Sequence, residues 1–181
     1  EGFEVTTYRL DGEYEDCRHP KQVEFTKSLI EDLKRRDFTI NAMAYNRQEG
    51  LVDAFDGLKD LERHIIRCVG SPDKRFDEDA LRILRAVRFS AQLGFSIEEA
   101  TKEAIIKKAP NLVNISAERI RVELNKLLIS EHPNNLQIAY DTGITNVVFP
   151  EFDEMMHRQI KGTHNSMTEG EFYLSAILST H

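Results

Sequence analysis

A change of hydrophobic period near residue 74 restricts the fold of this chain more than any other feature of the sequence. Beyond that point, apolar side chains recur at helical spacing in one segment after another. Gly94 and Pro110 follow two of these segments and provide helix stop signals. The second part of the chain is therefore predicted to be all-helical. The predicted helices are 77–93, 96–109, 116–129, 133–142 and 144–148.

The residues before this change have a mixed pattern. FEVTTYRL (3–10) is rich in residues that favour extended backbone, and it predicts a strand. Apolar spacing predicts a helix over 26–37. The segments 40–46 and 51–55 predict a hairpin whose turn uses Gly50. We therefore predict an α+β fold, in which a mixed piece precedes the helical one.

Composition and charge exclude several classes of protein. The 181 residues carry a formal net charge of −7, whereas nonspecific coating of nucleic acid needs a strongly basic surface. No apolar run reaches the ~18 residues of a membrane span, and the first residues do not resemble a signal peptide, so the cytoplasm is the expected location. Cys17 and Cys68 are isolated and predict neither a zinc site nor a disulfide.

The segment RFDEDALRILRAVRF (75–89) combines ordered charge with an apolar helical stripe. Asp79 and Arg82 are three residues apart, so a surface ion pair worth about 0.2–0.5 kcal/mol is the simplest interpretation. Arg85 and Arg88 continue the ridge without an acid three or four residues further on, although they adjoin a face that should be buried. Because buried guanidinium groups need partners, a ligand that supplies them is the alternative.

A nucleotide base has the groups that such a pair requires. A carboxylate accepts hydrogen bonds and a guanidinium donates them, so Asp79 and Arg82 would present an acceptor beside a donor. Cytosine and adenine offer the complement, an amino group beside a ring nitrogen, whereas uracil and guanine offer the reverse order. Each unsatisfied buried polar group costs about 1–3 kcal/mol. The pair would therefore select C and A over U and G, and Arg85 could meet phosphate.

A second charged segment, KRRDFTINAMA (34–44), has two interpretations. In the first, its basic residues complement the dipole at a helix end, with Asp37 as a cap. In the second, Arg36 binds a triphosphate and Asp37 binds a sugar hydroxyl, as carboxylates bind ribose in other nucleotide sites.

Three stretches of the sequence together resemble one known family. They are EDLKRRDFTINAMAYN (31–46), the region from LVDAFDGLKD to RFDEDALRILRAVRF (51–89) and EVTTYR (4–9). The combination is similar to the bacterial-type (class II) tRNA nucleotidyltransferases, or CCA-adding enzymes, and poly(A) polymerases. The resemblance implies template-independent transfer of nucleotides from CTP and ATP to the 3′ end of tRNA, by a two-metal mechanism that uses Mg²⁺.

The resemblance also implies an architecture. Residues 1–72 would be the last part of a catalytic head with a nucleotidyltransferase-type mixed sheet, since GSPDKRF (70–76) interrupts the apolar pattern. Residues 73–130 would be a helical neck that carries the base-reading helix. Residues 131–181 would begin a helical body, and neck and body would hold the tRNA by shape and phosphate contacts.

Individual residues follow from matching the family's motifs to this sequence. Asp79 and Arg82 match the pair that reads the incoming base. Asp53, Gly57 and Asp60 match a segment that flexes as the pocket changes from C to A. The implied nucleotide-binding residues are Arg36, Asp37, Asn41, Asp79, Arg82, Arg85 and Arg88. Glu4 either matches a third acidic residue near the metals or is an exposed strand carboxylate.

One part of the family pattern does not occur in this chain. The family's glycine-rich GGxVRD segment and paired DxD carboxylates precede EVTTYR, and this sequence starts after them. We therefore expect a chain cut short at both ends, with most Mg²⁺ ligands upstream of residue 1 and no transfer activity from the 181 residues alone. His157, His164 and His181 occur without a His-Asp dipeptide, so no phosphohydrolase site is expected.

Several alternatives stay open at this point. A poly(A) polymerase, or a specialist that adds only CC or only A, would share the motifs. A catalytically silent nucleotide- or RNA-binding protein would keep the pocket without the metals. An acidic helical interaction module would bind no nucleotide and would leave the arginine ridge unexplained. The oligomeric state is also open.

Overall fold

The computed structural model describes residues 6–11, 23–160 and 167–179. Its helices are α1 (Leu29–Lys34), α2 (Gly57–Glu62), α3 (Pro72–Glu78), α4 (Leu81–Leu93), α5 (Glu99–Lys108), α6 (Ala117–Leu128), α7 (Leu136–Asp141), α8 (Ile144–Val148), α9 (Pro150–His157) and α10 (Glu169–Leu178). Its strands are β1 (Arg9–Asp11), β2 (Val23–Phe25), β3 (Met43–Asn46), β4 (Gly50–Asp53), β5 (Ile65–Ile66) and β6 (Ser96–Ile97). Short 3-10 turns occupy Thr39–Asn41, Ala109–Asn114 and Pro133–Asn135.

The strands form two-stranded ladders within the described residues. β1 pairs antiparallel with β2, and β3 pairs antiparallel with β4 as the predicted hairpin, in which Gly50 has a φ of 75°. β5 and β6 pair in parallel and connect the mixed region to the helical region, since Ile65 lies opposite Ser96. The α+β class is confirmed.

The prediction of one helix over 77–93 is wrong in one respect, because the structure divides this segment at Asp79. α3 begins at Pro72, inside GSPDKRF (70–76), which was predicted to interrupt the apolar pattern at the domain boundary, and Asp79 then adopts an extended conformation with φ −146° and ψ 103°. The Asp79 carboxylate accepts the Leu81 backbone N–H at 3.1 Å, which starts α4. Gly94 ends α4 in the left-handed conformation, as predicted.

Other boundaries also differ from the expected ones. Ser96 was expected to begin a helix but lies in β6, where its backbone N–H donates to the His64 carbonyl, so α5 begins at Glu99. The helix expected over 26–37 is the shorter α1, whose first turn is capped by the Ser28 hydroxyl. α2 and α9 were not predicted. α6 and α8 match their predicted helices within a residue at each end.

One hydrophobic core joins the two parts of the chain. Phe38 and Ile66 from the mixed region pack in the same cluster as Phe76, Leu84 and Phe152. This shared packing holds the 37–41 segment against α4 and fixes the walls of the cleft between them. The domain limits near 72 and 130 stay predictions. Within the described part of the chain, no helix is long and apolar enough to cross a membrane.

Candidate nucleotide-binding cleft

A polar cleft of about 540 Å³ opens where four parts of the chain meet. Its walls are the end of α1, the 37–41 segment, the junction between α3 and α4, and the first turn of α6. Five arginines and two aspartates dominate the lining, so the cleft attracts anions. The lining residues are Arg35, Arg36, Asp37, Asn41, Asp79, Leu81, Arg82, Arg85 and Arg119.

Arg82 is anchored by three groups, two from α3 and one just after the end of α1. Its Nη1 donates to Glu78 Oε2 at 2.6 Å and to the Arg75 carbonyl at 3.2 Å, and its Nη2 donates to the Arg35 carbonyl at 3.0 Å. The side chain is only 12% exposed. A guanidinium has five N–H donors, so Nε and one Nη2 hydrogen are left without a partner among the described residues. Those two donors are what Arg82 can offer to a ligand.

Asp79 lies at the break between α3 and α4, where no helix constrains its side chain. Its Oδ1 accepts the Leu81 N–H at 3.1 Å, and its Oδ2 accepts Arg119 Nη2 at 2.9 Å. No salt bridge joins Asp79 to Arg82, so the simple interpretation as an ion pair along one helix is wrong. Each has its own partners, yet both face the same cleft.

Asp37 is 8% exposed, and its carboxylate is fully engaged. Oδ1 accepts the Phe38 N–H at 2.8 Å and Asn41 Nδ2 at 3.3 Å. Oδ2 accepts Nε and Nη2 of Arg85 at 2.8 and 2.6 Å. These four donors use the roughly four lone-pair positions of a carboxylate. A sugar hydroxyl would therefore have to share or replace a donor, and the longest bond is the one from Asn41.

Arg36 is the most exposed of the five cleft arginines, with 42% of its side chain accessible. Its Nη1 donates to the Asn41 carbonyl at 3.3 Å, and its Nη2 lies 3.5 Å from Asp32 Oδ2. Burial raises the pKa of Asp32, but hydrogen bonds from Arg35 and the Arg9 backbone, together with the charges of Arg35 and Arg36, lower it overall. Asp32 thus stays ionised and holds Arg36 at the cleft rim.

Arg85 and Arg88 do find acids, but these acids are distant in sequence. The fork of Arg85 is bound to Asp37, which lies 48 residues earlier, so it is not free for phosphate in this arrangement. Arg88 does not line the cleft. Its Nε donates to Glu123 Oε2 at 2.9 Å, its Nη1 donates to Gln92 at 2.6 Å, and its Cζ lies 3.6 Å from the centre of the Phe89 ring. A nucleotide contact from Arg88 has no support in this geometry.

The segment with Asp53, Gly57 and Asp60 lies behind the cleft and packs against the 39–41 turn. Buried Asp60 accepts the Thr39 hydroxyl at 2.6 Å and Arg67 Nε at 2.8 Å. A Cβ atom at Gly57 would collide with the Thr39 carbonyl oxygen, so the close approach requires glycine.

Asp53 joins β4 to α2 through backbone hydrogen bonds. Its carboxylate accepts the N–H groups of Phe55, Gly57 and Leu58. Burial raises the pKa of Asp53, but these three hydrogen bonds and the charge of Arg67 lower it overall. Whether this segment flexes stays a prediction.

Sequence reasoning missed three cleft residues, namely Arg35, Leu81 and Arg119. Arg119 could have been found from helical phase, since it and buried Glu123 are one turn apart on the inner face of α6, whereas Arg121 is exposed. Glu4 lies outside the described residues. No group of three or more His, Cys, Asp or Glu residues that could hold a metal occurs in the part of the chain that the structure describes. The described residues therefore do not form a Mg²⁺ site by themselves.

Fold and cleft together define a protein with an arginine-lined, anion-attracting cleft, and comparison with known proteins identifies its family. Residues 1–67 match the Poly A polymerase head domain family, and residues 94–156 match the family described as the probable RNA and SrmB-binding site of polymerase A. The chain belongs to the family of tRNA nucleotidyltransferases, or CCA-adding enzymes, and poly(A) polymerases.

Two curated relatives show how much of the family's length is present. The CCA-adding enzyme of Lactiplantibacillus plantarum is 46% identical over 179 residues, which cover 99% of this chain and 43% of the relative. That of Lacticaseibacillus paracasei is 58% identical over 127 residues, 70% of this chain and 32% of the relative. The chain thus spans less than half the length of these relatives.

Three solved structures of similar fold are complexes with a nucleotide or tRNA. The Bacillus stearothermophilus CCA-adding enzyme in complex with CTP is 44% identical with a TM-score of 0.69, over 77% of this chain and 33% of that one. The Thermotoga maritima CCA-adding enzyme complexed with tRNA has 34% identity and a TM-score of 0.64, over 71% and 34%. A CCA-adding enzyme with ATP has 34% identity and a TM-score of 0.61, over 70% and 33%.

Proposed function

We propose that the protein adds C, C and A from CTP and ATP to the 3′ end of tRNA, and that this chain supplies the pocket that selects and orients the nucleotide. The observation that carries the proposal is the meeting of Asp79 and Arg82 with Arg36 and Asp37 in one cleft. These four residues come from two motifs more than 40 positions apart in sequence. A surface role for either motif would not require them to share a cavity.

Base selection follows from what the cleft leaves available. Arg82 keeps two N–H donors, and Asp79 keeps the lone pairs that Leu81 and Arg119 do not use. A cytosine or adenine edge would donate an amino N–H to Asp79, and its ring nitrogen would accept an N–H from Arg82. Uracil or guanine would face donor with donor and acceptor with acceptor, which costs about 1–3 kcal/mol for each unpaired group.

The remaining groups of the nucleotide have separate partners. Arg36, at the exposed rim, is placed to meet the triphosphate with its planar fork. Asp37 would receive the ribose hydroxyl in place of the long Asn41 bond, which would free the Asn41 amide to bind the sugar as well. Arg85 serves this step through Asp37, because its two hydrogen bonds hold that carboxylate in place.

The metal requirement is part of the proposal. Mg²⁺ would activate the attacking tRNA hydroxyl and stabilise the departing pyrophosphate. The described residues offer no ligand set, so its carboxylates are expected elsewhere, with Glu4 the candidate within this chain. For the same reason we propose that the 181 residues alone do not catalyse transfer. Measurable CCA addition by this polypeptide would contradict that part.

The helical part of the chain would hold the acceptor tRNA. The reaction would take place in the cytoplasm. Residues 94–156, which match the RNA-binding family, include α5 to α8 and nearly all of α9. Their basic side chains would contact phosphates, and α6 would bring the tRNA end close to the cleft, since Arg119 lies in both.

Feeding the full-length protein a tRNA that ends before CCA tests the proposal. With CTP alone the product should grow by two residues, with ATP alone it should not grow, and with both it should grow by three. Extension by ATP alone into a long tail would favour a poly(A) polymerase, and extension by only CC or only A would favour a specialist. Nucleotide binding without extension in the presence of Mg²⁺ would favour a silent binding protein.

A further inference from the structure

Arg119 reaches the cleft from α6, a helix outside both charged motifs. Its Nη2 donates to Asp79 Oδ2 at 2.9 Å, and the two side chains are 26% and 20% exposed. Its Nη1 is buried and has no hydrogen-bond partner among the described residues. An unpaired buried donor costs about 1–3 kcal/mol. One donor group of Arg119 is therefore unpaired in this arrangement, and the bond from Nη2 to Asp79 is the contact through which Arg119 acts on the cleft.

The orientation of Asp79 depends on Arg119. Asp79 lies in extended backbone between two helices, and among the described residues only the Leu81 N–H holds its other oxygen. Rotation of a carboxylate about its last bond has broad, shallow minima, so one hydrogen bond does not fix it. With Arg119 in place, both oxygens are held, and the free lone pairs keep one direction relative to Arg82.

Arg82, in contrast, is independent of Arg119. It is fixed by Glu78 and by two backbone carbonyls from α1 and α3. Loss of Arg119 would therefore disturb the acceptor half of the base-reading pair and leave the donor half in place.

We propose that Arg119 is a positioning residue for base selection, which holds Asp79 so that its acceptor faces the amino group of cytosine or adenine. The proposal rests on the proposed function, because it assumes that Asp79 and Arg82 read the base. It also explains why an arginine from the RNA-binding region lines a nucleotide cleft. The predicted consequence is a loss of discrimination between bases, not a uniform loss of nucleotide binding.

The test compares the affinities of the full-length protein for CTP, ATP, UTP and GTP in three variants. In Arg119→Gln, binding of CTP and ATP should weaken about ten-fold, while binding of UTP and GTP stays near its original level. Unchanged UTP and GTP binding also shows that the variant is folded. Arg119→Lys keeps the ion pair with Asp79 and should restore most of the preference. Arg121→Gln, on the exposed side of the same helix, is the matched control and should behave as the wild type.

The possible outcomes separate this inference from the function on which it rests. A wild-type protein without preference for CTP and ATP would overturn the proposed function and the inference with it. A wild-type preference that persists in Arg119→Gln would overturn the inference alone, as would an equal loss for all four nucleotides. If Arg119→Gln does not fold, Arg119→Met keeps the aliphatic stem and gives the same comparison.

Discussion

Arg82 and Arg88 lie on one ridge of α4, yet their surroundings give them different contacts. Arg82 in the first turn and Arg88 in the middle of the helix are nearly equally covered, with 12% and 9% of their side chains exposed. Arg82 keeps donors that face the cleft, whereas Arg88 turns away from it to Glu123, Gln92 and the Phe89 ring. The comparison teaches that burial alone does not separate an arginine that lines an open cleft from one that is engaged inside the protein. What separates them is whether protein groups or an open cavity face the remaining donors.

Arg85 lies between the two and has an intermediate environment. It lines the cleft and is 31% exposed, but its fork holds Asp37. The ridge thus changes along one helix from a residue with unpaired donors at the cleft to a residue that holds Asp37, and then to a residue that joins α4 to α6.

The largest expected effect comes from breaking the buried ion pair between Arg88 and Glu123. Glu123→Ala leaves the Arg88 cation without its carboxylate and should destabilise the protein by about 3–5 kcal/mol, because an unpaired buried charge is costly. Urea unfolding measures the change. Glu118→Ala, an exposed acid on the same helix, should cost less than about 0.5 kcal/mol. Equal losses of stability from the two substitutions would contradict the structural role of the Arg88–Glu123 pair.

The next largest effect is expected on nucleotide preference, from changes at Asp79 and Arg82 in the cleft. Exchanging the charges in the double variant Asp79→Arg with Arg82→Asp should shift nucleotide preference toward UTP and GTP by about ten-fold or more, since donor and acceptor change places. Overall affinity should also fall, because Glu78 and Arg119 would then face like charges. Competition titrations with the four nucleotides measure the shift. An unaltered preference would show that the pair does not read the base.

The smallest effect is expected on stability, from a change at Asp53, which lies behind the cleft. Its folded pKa is below its ordinary value of 3.8, so its stabilising contribution is present above that pH and is lost as the pH falls through the lowered pKa. Asp53→Asn should cost about 1 kcal/mol at neutral pH, as for loss of a helix cap, and should flatten the fall in stability below about pH 4. Unfolding curves between pH 7 and pH 2.5 check the sign. A steeper acid loss in the variant would contradict it.

Much of the architecture could be predicted from the sequence because local signals and the final fold agree. The helical period and Gly94 correctly predicted where α4 ends, and the helix predicted over 116–129 matches α6 within a residue at each end. The break at Asp79 could not be predicted, since Phe76, Ala80 and Leu84 keep one apolar phase across it. β5 and β6 escaped prediction because two-residue strands have no period and form only when the chain brings them together.

The sequence by itself determined which chemistry is present: the two charged motifs, the helical second half and the resemblance to nucleotide-transferring enzymes. These are local properties, readable from spacing and side-chain type. Only the tertiary structure decided which charge meets which. In the folded chain Asp37 pairs with Arg85, Arg88 with Glu123 and Asp79 with Arg119, over separations of 35 to 48 residues. Packing of α4 against α6 and the 37–41 segment sets these pairs, and no local spacing encodes them.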